Sequence, residues 1–384
     1  MSWRQFRSKA AVYWLLRVSA RSLMRPGVPL AEQVEDIYRR QPCSRPPRKG
    51  SGLNRTAFEV ERLCYDFVNA GWGRGKGGES AQGPRQLLSG EAAAVLPQKS
   101  LILLHAGMGM ALAEQTLRRL GPSSPAAAYE AALRRFLSLV ELNSRPAYAL
   151  VPVEALGMMV RLFRSRIRGA VERQLRAVDL GLAAYYWHGA GRAIYFLPAQ
   201  FHPFPRSLDR GLEICRREPP EPAHRLDALS GFCFAAAMMG LGHPWTLEPL
   251  LARLGERTEE AEALASGIAA CIVTRHHTTP DDPVIGAFLR YRPPAAEARR
   301  AELWRRWVAE PCALVLERLY VRLEAEGRLG ALARHQSLAA LAEMATHAPA
   351  EPPAAPGVPE RAKRRRAAGH TSRRAASGPS RSSA

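Results

Sequence analysis

The sequence predicts an all-α protein: stacked helical hairpins in an α-solenoid-like or compact helical array, followed by a disordered basic C-terminal tail. Three observations predict it. Ala, Leu and Arg dominate the 384 residues, and Val, Ile and Thr runs are scarce. Apolar residues recur three and four apart along most of the chain. Four apolar segments carry Gly and Ala one helical turn apart: HAGMGMALA from His105, HGAGRAIYF from His188, SGFCFAAAMMG from Ser230 and SGIAACIV from Ser266. An apolar content of 47% supports a real core.

Residues 1–40 read as N-terminal helices broken by Pro26 and Pro29, with Leu30, Val34, Ile37 and Tyr38 at helical spacing. The apolar run Ala10–Leu16 is too short to span a bilayer, so no transmembrane segment is expected. Residues 42–54 form a linker, and Thr56–Gly71 a helix burying Phe58, Leu63, Cys64, Phe67 and Val68. The Gly-rich stretch 71–85 contains Gly75-Lys76 but lacks the Ser or Thr and the preceding strand of a phosphate loop, so it reads as a plain loop. Helices follow over 100–120, 125–142 and 152–178, the last broken near Gly157 or Gly169. The stretch 179–198 holds Tyr185, Tyr186 and Trp187, then Gly189, Gly191 and Arg192, and stops at Pro198. Further helices are expected over 206–217, 225–241 and 246–254. Another, capped by Thr258, runs to about Thr274, and two or three lie in 297–346. The domain-sized body therefore spans 55–347, and the Pro/Ala- and Arg-rich tail 348–384 has no core-forming content.

The small-residue segments begin 83, 42 and 36 residues apart, about two steps of forty and then one each. The missing step falls at 147–159, where Ala149, Ala155 and Gly157 lie. Periods of this size suit helix-pair repeats. The spacing of Gly107 and Ala111, Gly189 and Ala193, Gly231 and Ala235, and Gly267 and Cys271 makes a smooth stripe that lets neighbouring helices approach closely. Each interior Gly costs about 1 kcal/mol of helix propensity, which tight packing must offset. The alternative is that the glycines make room for a ligand.

The net charge of +20 is uneven: from Pro349 on there are eight Lys or Arg against two acidic residues. Nucleic-acid association is thus expected only through the tail, if at all. The six cysteines form no CxxC pair and read as buried free thiols of a cytoplasmic protein. His105 and His188 hold the same place in two copies of the segment, so they are candidate acid/base groups or metal ligands, or merely histidines bonded to neighbouring backbone. Arg192, inside an apolar helix, needs a carboxylate such as Asp179 or Asp227, or an anionic ligand. Arg275 and His276 follow an apolar helix, where cations are favourable in any case. Glu343 and His347 could share a metal, but no second half of such a motif exists, so no metal or cofactor is expected.

In order, HAGMGMALA, GAGRAIYF, SGFCFAAAMMG and SGIAACIVTRHHTTP resemble the motif series of a bacterial family encoded in enediyne polyketide biosynthetic clusters. Gly191, Arg192, Ala193 and Phe196 match its second motif, Ser230, Gly231 and Ala235 its third, and Gly267 and Ala269 its fourth. An earlier family motif would fall at Phe58-Glu59. Here the chain continues Val60-Glu61-Arg62 where small residues are expected, as in a divergent member. The resemblance covers about residues 55–290 and carries no catalytic residue with it. It implies a role in specialised metabolism; the aromatic and Arg cluster beside the glycines, with no catalytic set, adds the expectation of a non-catalytic accessory protein that binds a hydrophobic intermediate or a synthase partner. The groove would be lined by His105, Tyr185, Trp187, His188, Arg192, Arg275 and His276. Two alternatives stand beside it: an enzyme using His105 and His188 as acid and base, and a nucleic-acid-associated protein acting through the tail.

Overall fold

A computed structural model describes residues 22–40, 55–72, 83–197, 207–294 and 297–346. Expectations for the N-terminal segment before residue 22, the linker, most of the Gly-rich stretch, the Pro-rich run after Leu197 and the tail lie outside these residues.

Fourteen helices and no strand occur among the described residues. In chain order they are α1 (Leu30–Arg40), α2 (Arg55–Trp72), α3 (Leu101–Leu117), α4 (Ala126–Asn143), α5 (Val151–Phe163), α6 (Arg168–Val178) and α7 (Leu182–Tyr195). Then come α8 (Ser207–Arg217), α9 (Pro222–Gly240), α10 (Glu248–Leu254), α11 (Thr258–Thr278) and α12 (Pro283–Arg290). Helix α13 starts at Ala298 and ends at Ala325, with π turns at Arg305–Ala309 and Val315–Leu319, and α14 is Leu338–Thr346.

The long helices α2, α3, α5, α7, α9 and α11 pack one against the next in chain order. Helices α4, α6, α8 and α10 lie between them in sequence and pack back on them, so the architecture is the stacked array of hairpins that the sequence predicts. Glycines sit at every crossing of the long helices. A Cβ added to Gly107 would stand 2.0 Å from the Glu61 carbonyl oxygen, and one on Gly109 would stand 2.4 Å from Pro152 Cα. Gly157 and Gly189 meet the carbonyls of Tyr186 and Glu154 at 1.9 and 1.8 Å. Gly191 and Gly231 meet those of Ala228 and His188 at 2.0 and 1.9 Å, and Gly267 meets that of Ser230 at 2.1 Å. No side chain fits at such a point. The backbones come close enough for Cα–H···O contacts of about 0.5–1 kcal/mol each, and these together with the surrounding packing offset the propensity cost. The pairs run antiparallel: Gly157 faces Tyr186 while Gly189, three residues on from Tyr186, faces Glu154, three residues before Gly157.

Of three local expectations two are met and one, the cap at Thr258, is corrected. The 152–178 segment breaks at Arg164–Ile167, just before Gly169, one of the two places expected, while Gly157 is held inside α5 by its contact with α7. Thr258 is the first residue of α11, whose N-cap is Arg257 with no side-chain cap. Residues 297–346 contain two helices, within the two or three expected: the long α13, relieved by two π turns, and then α14.

The C-terminal half closes back on the stack. Helices α13 and α14 pack on α11, and the end of α11 reaches the turn Gln98–Ser100 that opens α3. The 3₁₀ turn Leu329–Leu332 lies over Ala147 and Tyr148, so that a Cβ on Gly330 would be 3.0 Å from the Ala147 carbonyl. After it, the His335 amide donates to Asp227 Oδ1 and the Gln336 amide to Ser266 Oγ, both at 3.0 Å. Residues 329–336 thus form a strap tied to α9 and α11. The stretch Pro146–Phe163 is apolar and long enough to cross a membrane by composition, but 72% of it is buried inside the protein, as befits the core helix α5.

Candidate functional site

The strap and all six long helices line one cleft. Ala57, Phe58 and Glu61 come from α2, Ile102, Leu103 and Ala106 from α3, and Val151 and Glu154 from α5. His188 and Arg192 come from α7, Phe234 and Met238 from α9, and Cys271, Thr274 and Arg275 from α11; Leu329, Leu332 and Ala333 cover it. Ala57, Ile102, Met238, Thr274, Arg275 and Ala333 are half-buried and mark its mouth, whereas Glu61, Glu154, His188, Arg192 and Phe234 are buried at its floor. The open space is about 70 Å³.

The floor is a charged network in an apolar shell. His188 and Arg192 are four apart on α7 and so share one face. Both reach Glu154: His188 Nδ1 lies 2.9 Å from Oε1, and Arg192 Nη1 donates to Oε1 at 2.9 Å and Oε2 at 2.8 Å. Phe234 closes the far side, with the guanidinium 4.7 Å above its ring and the imidazole edge-on at 5.8 Å. Burial by itself would raise the Glu154 carboxyl; the Arg192 charge and the His188 bond outweigh it and hold it at about 2. Glu154 is therefore an ionised acceptor. The hydrogen it receives from the imidazole is on Nδ1, so it is Nε2 that carries the lone pair in the neutral ring.

Glu61 is the second carboxyl. It is completely buried, and desolvation raises it to about 7 against the pull of Arg192, with the Glu154 charge adding to the rise. Its Oε1 and His188 Nε2 are buried polar atoms with no hydrogen-bond partner among the described residues. Cys271 is also on the cleft wall, and burial pushes its thiol up to about 12, so it is no ready nucleophile. Arg275 pairs with Asp282 at the mouth.

Of the residues the sequence singled out, His188, Arg192 and Arg275 line the cleft, and His105, Tyr185, Trp187 and His276 do not. His105 Nδ1 meets the Leu101 carbonyl at 2.7 Å, Nε2 accepts the Arg145 amide at 3.1 Å, and the ring stacks on Tyr148. Burial lowers its pKa to about 4. It is a neutral histidine saturated by backbone, so it cannot share acid/base work with His188. Tyr185 lies under Arg334, Trp187 packs edge-on to Tyr186, and His276 packs edge-on to Tyr320. The partner of Arg192 is Glu154, not Asp179 or Asp227. Asp179 accepts from the Gly181 amide, and Asp227 holds His224 and the strap.

Glu61 and Glu154 were missed. Each had a signal: Glu154 is the one charge in the apolar run Val151–Val160, and Glu61 falls one turn after Phe58, on the buried face of α2. Among the described residues no group of three or more His, Cys, Asp or Glu is placed to hold a metal ion. No protein-family model, no curated protein and no solved structure matches this chain.

Proposed function

We propose that the protein binds a largely apolar small molecule in the six-helix cleft, with the polar end of that molecule on the Glu61–Glu154–His188–Arg192 floor. We further propose that it serves the biosynthesis of a polyketide-type or enediyne-type metabolite as an accessory protein. The observation behind the binding reading is the set of unpartnered buried atoms, Glu61 Oε1, His188 Nε2 and Arg192 Nε, at the base of a largely apolar cleft. A buried polar atom without a partner costs about 1–3 kcal/mol, so a partner supplied by a ligand or water answers the deficit. The floor has room for the polar end and a few carbons; the remainder of a longer ligand would pass the half-buried mouth beside Thr274 and Ala333. The biosynthetic setting rests on the motif resemblance, and the five cysteines among the described residues, all buried free thiols, suit a reducing cytoplasm.

Thermal unfolding with and without a linear conjugated polyene carboxylic acid tests the binding. Saturating ligand should raise the unfolding temperature, since a ligand at a hundred times its Kd stabilises by about 2.7 kcal/mol. Ala106→Phe, which fills the cleft, should abolish the shift. An equal shift in both proteins would reject this cleft as the site.

A further inference from the structure

We propose that the cleft is a proton-transfer site, with His188 Nε2 as the base, the Glu61 carboxyl as the acid, and an apolar substrate carrying a carbonyl next to an acidic C–H. The inference rests on the binding reading above and goes beyond it to a reaction.

The geometry has the parts that such chemistry needs. An ionised carboxylate, Glu154, holds the imidazole by Nδ1, which fixes the tautomer and leaves Nε2 as a lone pair. Arg192 grips that carboxylate by both oxygens, so Glu154 and Arg192 are positioning residues and keep their own protons. Glu61, a carboxyl that burial raises to about 7, stands in the same apolar floor with one oxygen unengaged. A general acid works best when its pKa lies near the working pH. The apolar walls would exclude water from a reactive enol.

The step balances without a co-reactant. The C–H bond next to the carbonyl breaks, its proton goes to His188 Nε2, and the electron pair forms the carbon–carbon double bond. The carbonyl π pair moves to oxygen, which takes the Glu61 proton. In the return step the enol O–H proton goes back to Glu61, and the imidazolium returns its proton to carbon. Delivery to the original carbon exchanges or inverts that centre. Delivery to the far end of a conjugated enol shifts a double bond. His105 takes no part.

The test uses the full chain and 2-decanone in D₂O. Saturation-transfer NMR reads binding, and mass spectrometry of the same sample reads deuterium uptake next to the carbonyl. The expected result is binding together with uptake about a hundredfold above His188→Gln, in keeping with the usual contribution of a positioned acid or base. Glu61→Gln should bind the ketone and lose most of the uptake. Glu154→Gln should retain some uptake with an altered pH profile, a change that a merely structural role would not produce. Binding without uptake above the His188→Gln level overturns the proton-transfer proposal and leaves the binding reading standing. Absence of binding overturns both. Circular dichroism on each variant checks folding; should His188→Gln fail to fold, Glu61→Gln with wild-type binding and undiminished uptake would overturn the proposal by itself.

Discussion

Glu154 and Gly189 meet where α5 crosses α7: the Glu154 carbonyl oxygen stands 1.8 Å from the position a Cβ on Gly189 would take. The same Glu154 holds, through its side chain, the residue just before that glycine, His188. One crossing therefore sets both the helix spacing and the floor of the cleft. A stripe of small residues was expected either to permit close packing or to make room for a ligand. The contacts at Gly107, Gly157, Gly189 and Gly231 are packing contacts, and the cleft is built from the neighbouring large and charged side chains.

Gly189→Ala should consequently be among the most damaging single-methyl changes in the chain. The added carbon meets backbone, which cannot rotate away, so the helices must separate. Overpacking of a close-packed core costs about 1–3 kcal/mol where side chains can shift, and a backbone clash should exceed that. Gly71→Ala in α2, whose added Cβ meets nothing within 4 Å, is the control. It should stabilise by up to about 1 kcal/mol through helix propensity. Urea unfolding of both variants reads the difference, and similar stabilities would refute the packing account.

The Glu154–Arg192 pair should be far more costly to break than to replace. Arg192→Met leaves a buried carboxylate with only His188 to compensate it, for which about 3–5 kcal/mol is expected. Glu154→Gln is milder at pH 8, because Glu61 then supplies the remaining carboxylate near Arg192. The double variant should recover part of the Arg192→Met loss, giving a coupling of at least about 1 kcal/mol. Strictly additive losses would mean that the two side chains do not act as a pair.

The strap offers a prediction about access. Its amides at His335 and Gln336 end on Asp227 and Ser266, and its apolar side chains Leu329, Leu332 and Ala333 roof the cleft. Ser266→Ala removes the acceptor at Gln336, with little loss of bulk inside α11. Limited proteolysis should then cut at Arg334 or Arg328 sooner than in the wild type, while the α11 peptides stay protected. Unchanged cleavage at both arginines would show that the strap is held by its apolar roof alone.

The helical array was legible because it is written in local residues: Gly and Ala at one-turn spacing, and even the missing step near Gly157, which packs on Tyr186. The floor was only half legible. His188 and Arg192 lie in a segment that draws attention, whereas their partner Glu154 is 34 residues before His188 and Glu61 lies on another helix. Which carboxylate meets an arginine depends on how the rods stack, and Asp179 and Asp227 were nearer in sequence or in motif. The aromatic cluster misled for a related reason. Tyr185 and Trp187 lie one turn and one residue before His188, but their directions on α7 take them into the packing and away from the cleft.

Glu61 and His105 should oppose one another in the pH dependence of stability. Glu61 has an ordinary pKa of 4.5 and about 7 in the folded protein, so the folded state keeps a proton that the unfolded chain has lost. Its contribution is full below 4.5 and disappears as pH rises through 7, a change of about 3 kcal/mol. Arg192 and Glu154 bear on it from neighbouring helices, His188, Cys271 and Arg275 line the same cleft, and Cys64 lies on its own helix. His105, lowered from 6.5 to about 4 by burial with Arg145 nearby, behaves in the other sense. The unfolded chain takes up its proton first, so stability falls as pH drops from 6.5 to 4, again by about 3 kcal/mol. Between pH 4.5 and 6.5 these two contributions nearly cancel each other, and His277 and His335, also lowered by burial, add to the loss toward acid in every variant. Glu61→Gln should uncover the loss toward acid, and His105→Gln should uncover the loss toward neutral pH. Urea unfolding at half-unit steps reads all three curves. If the wild-type slope persists in Glu61→Gln, the carboxyl is already ionised in the folded protein and cannot serve as the proton donor at the floor of the cleft.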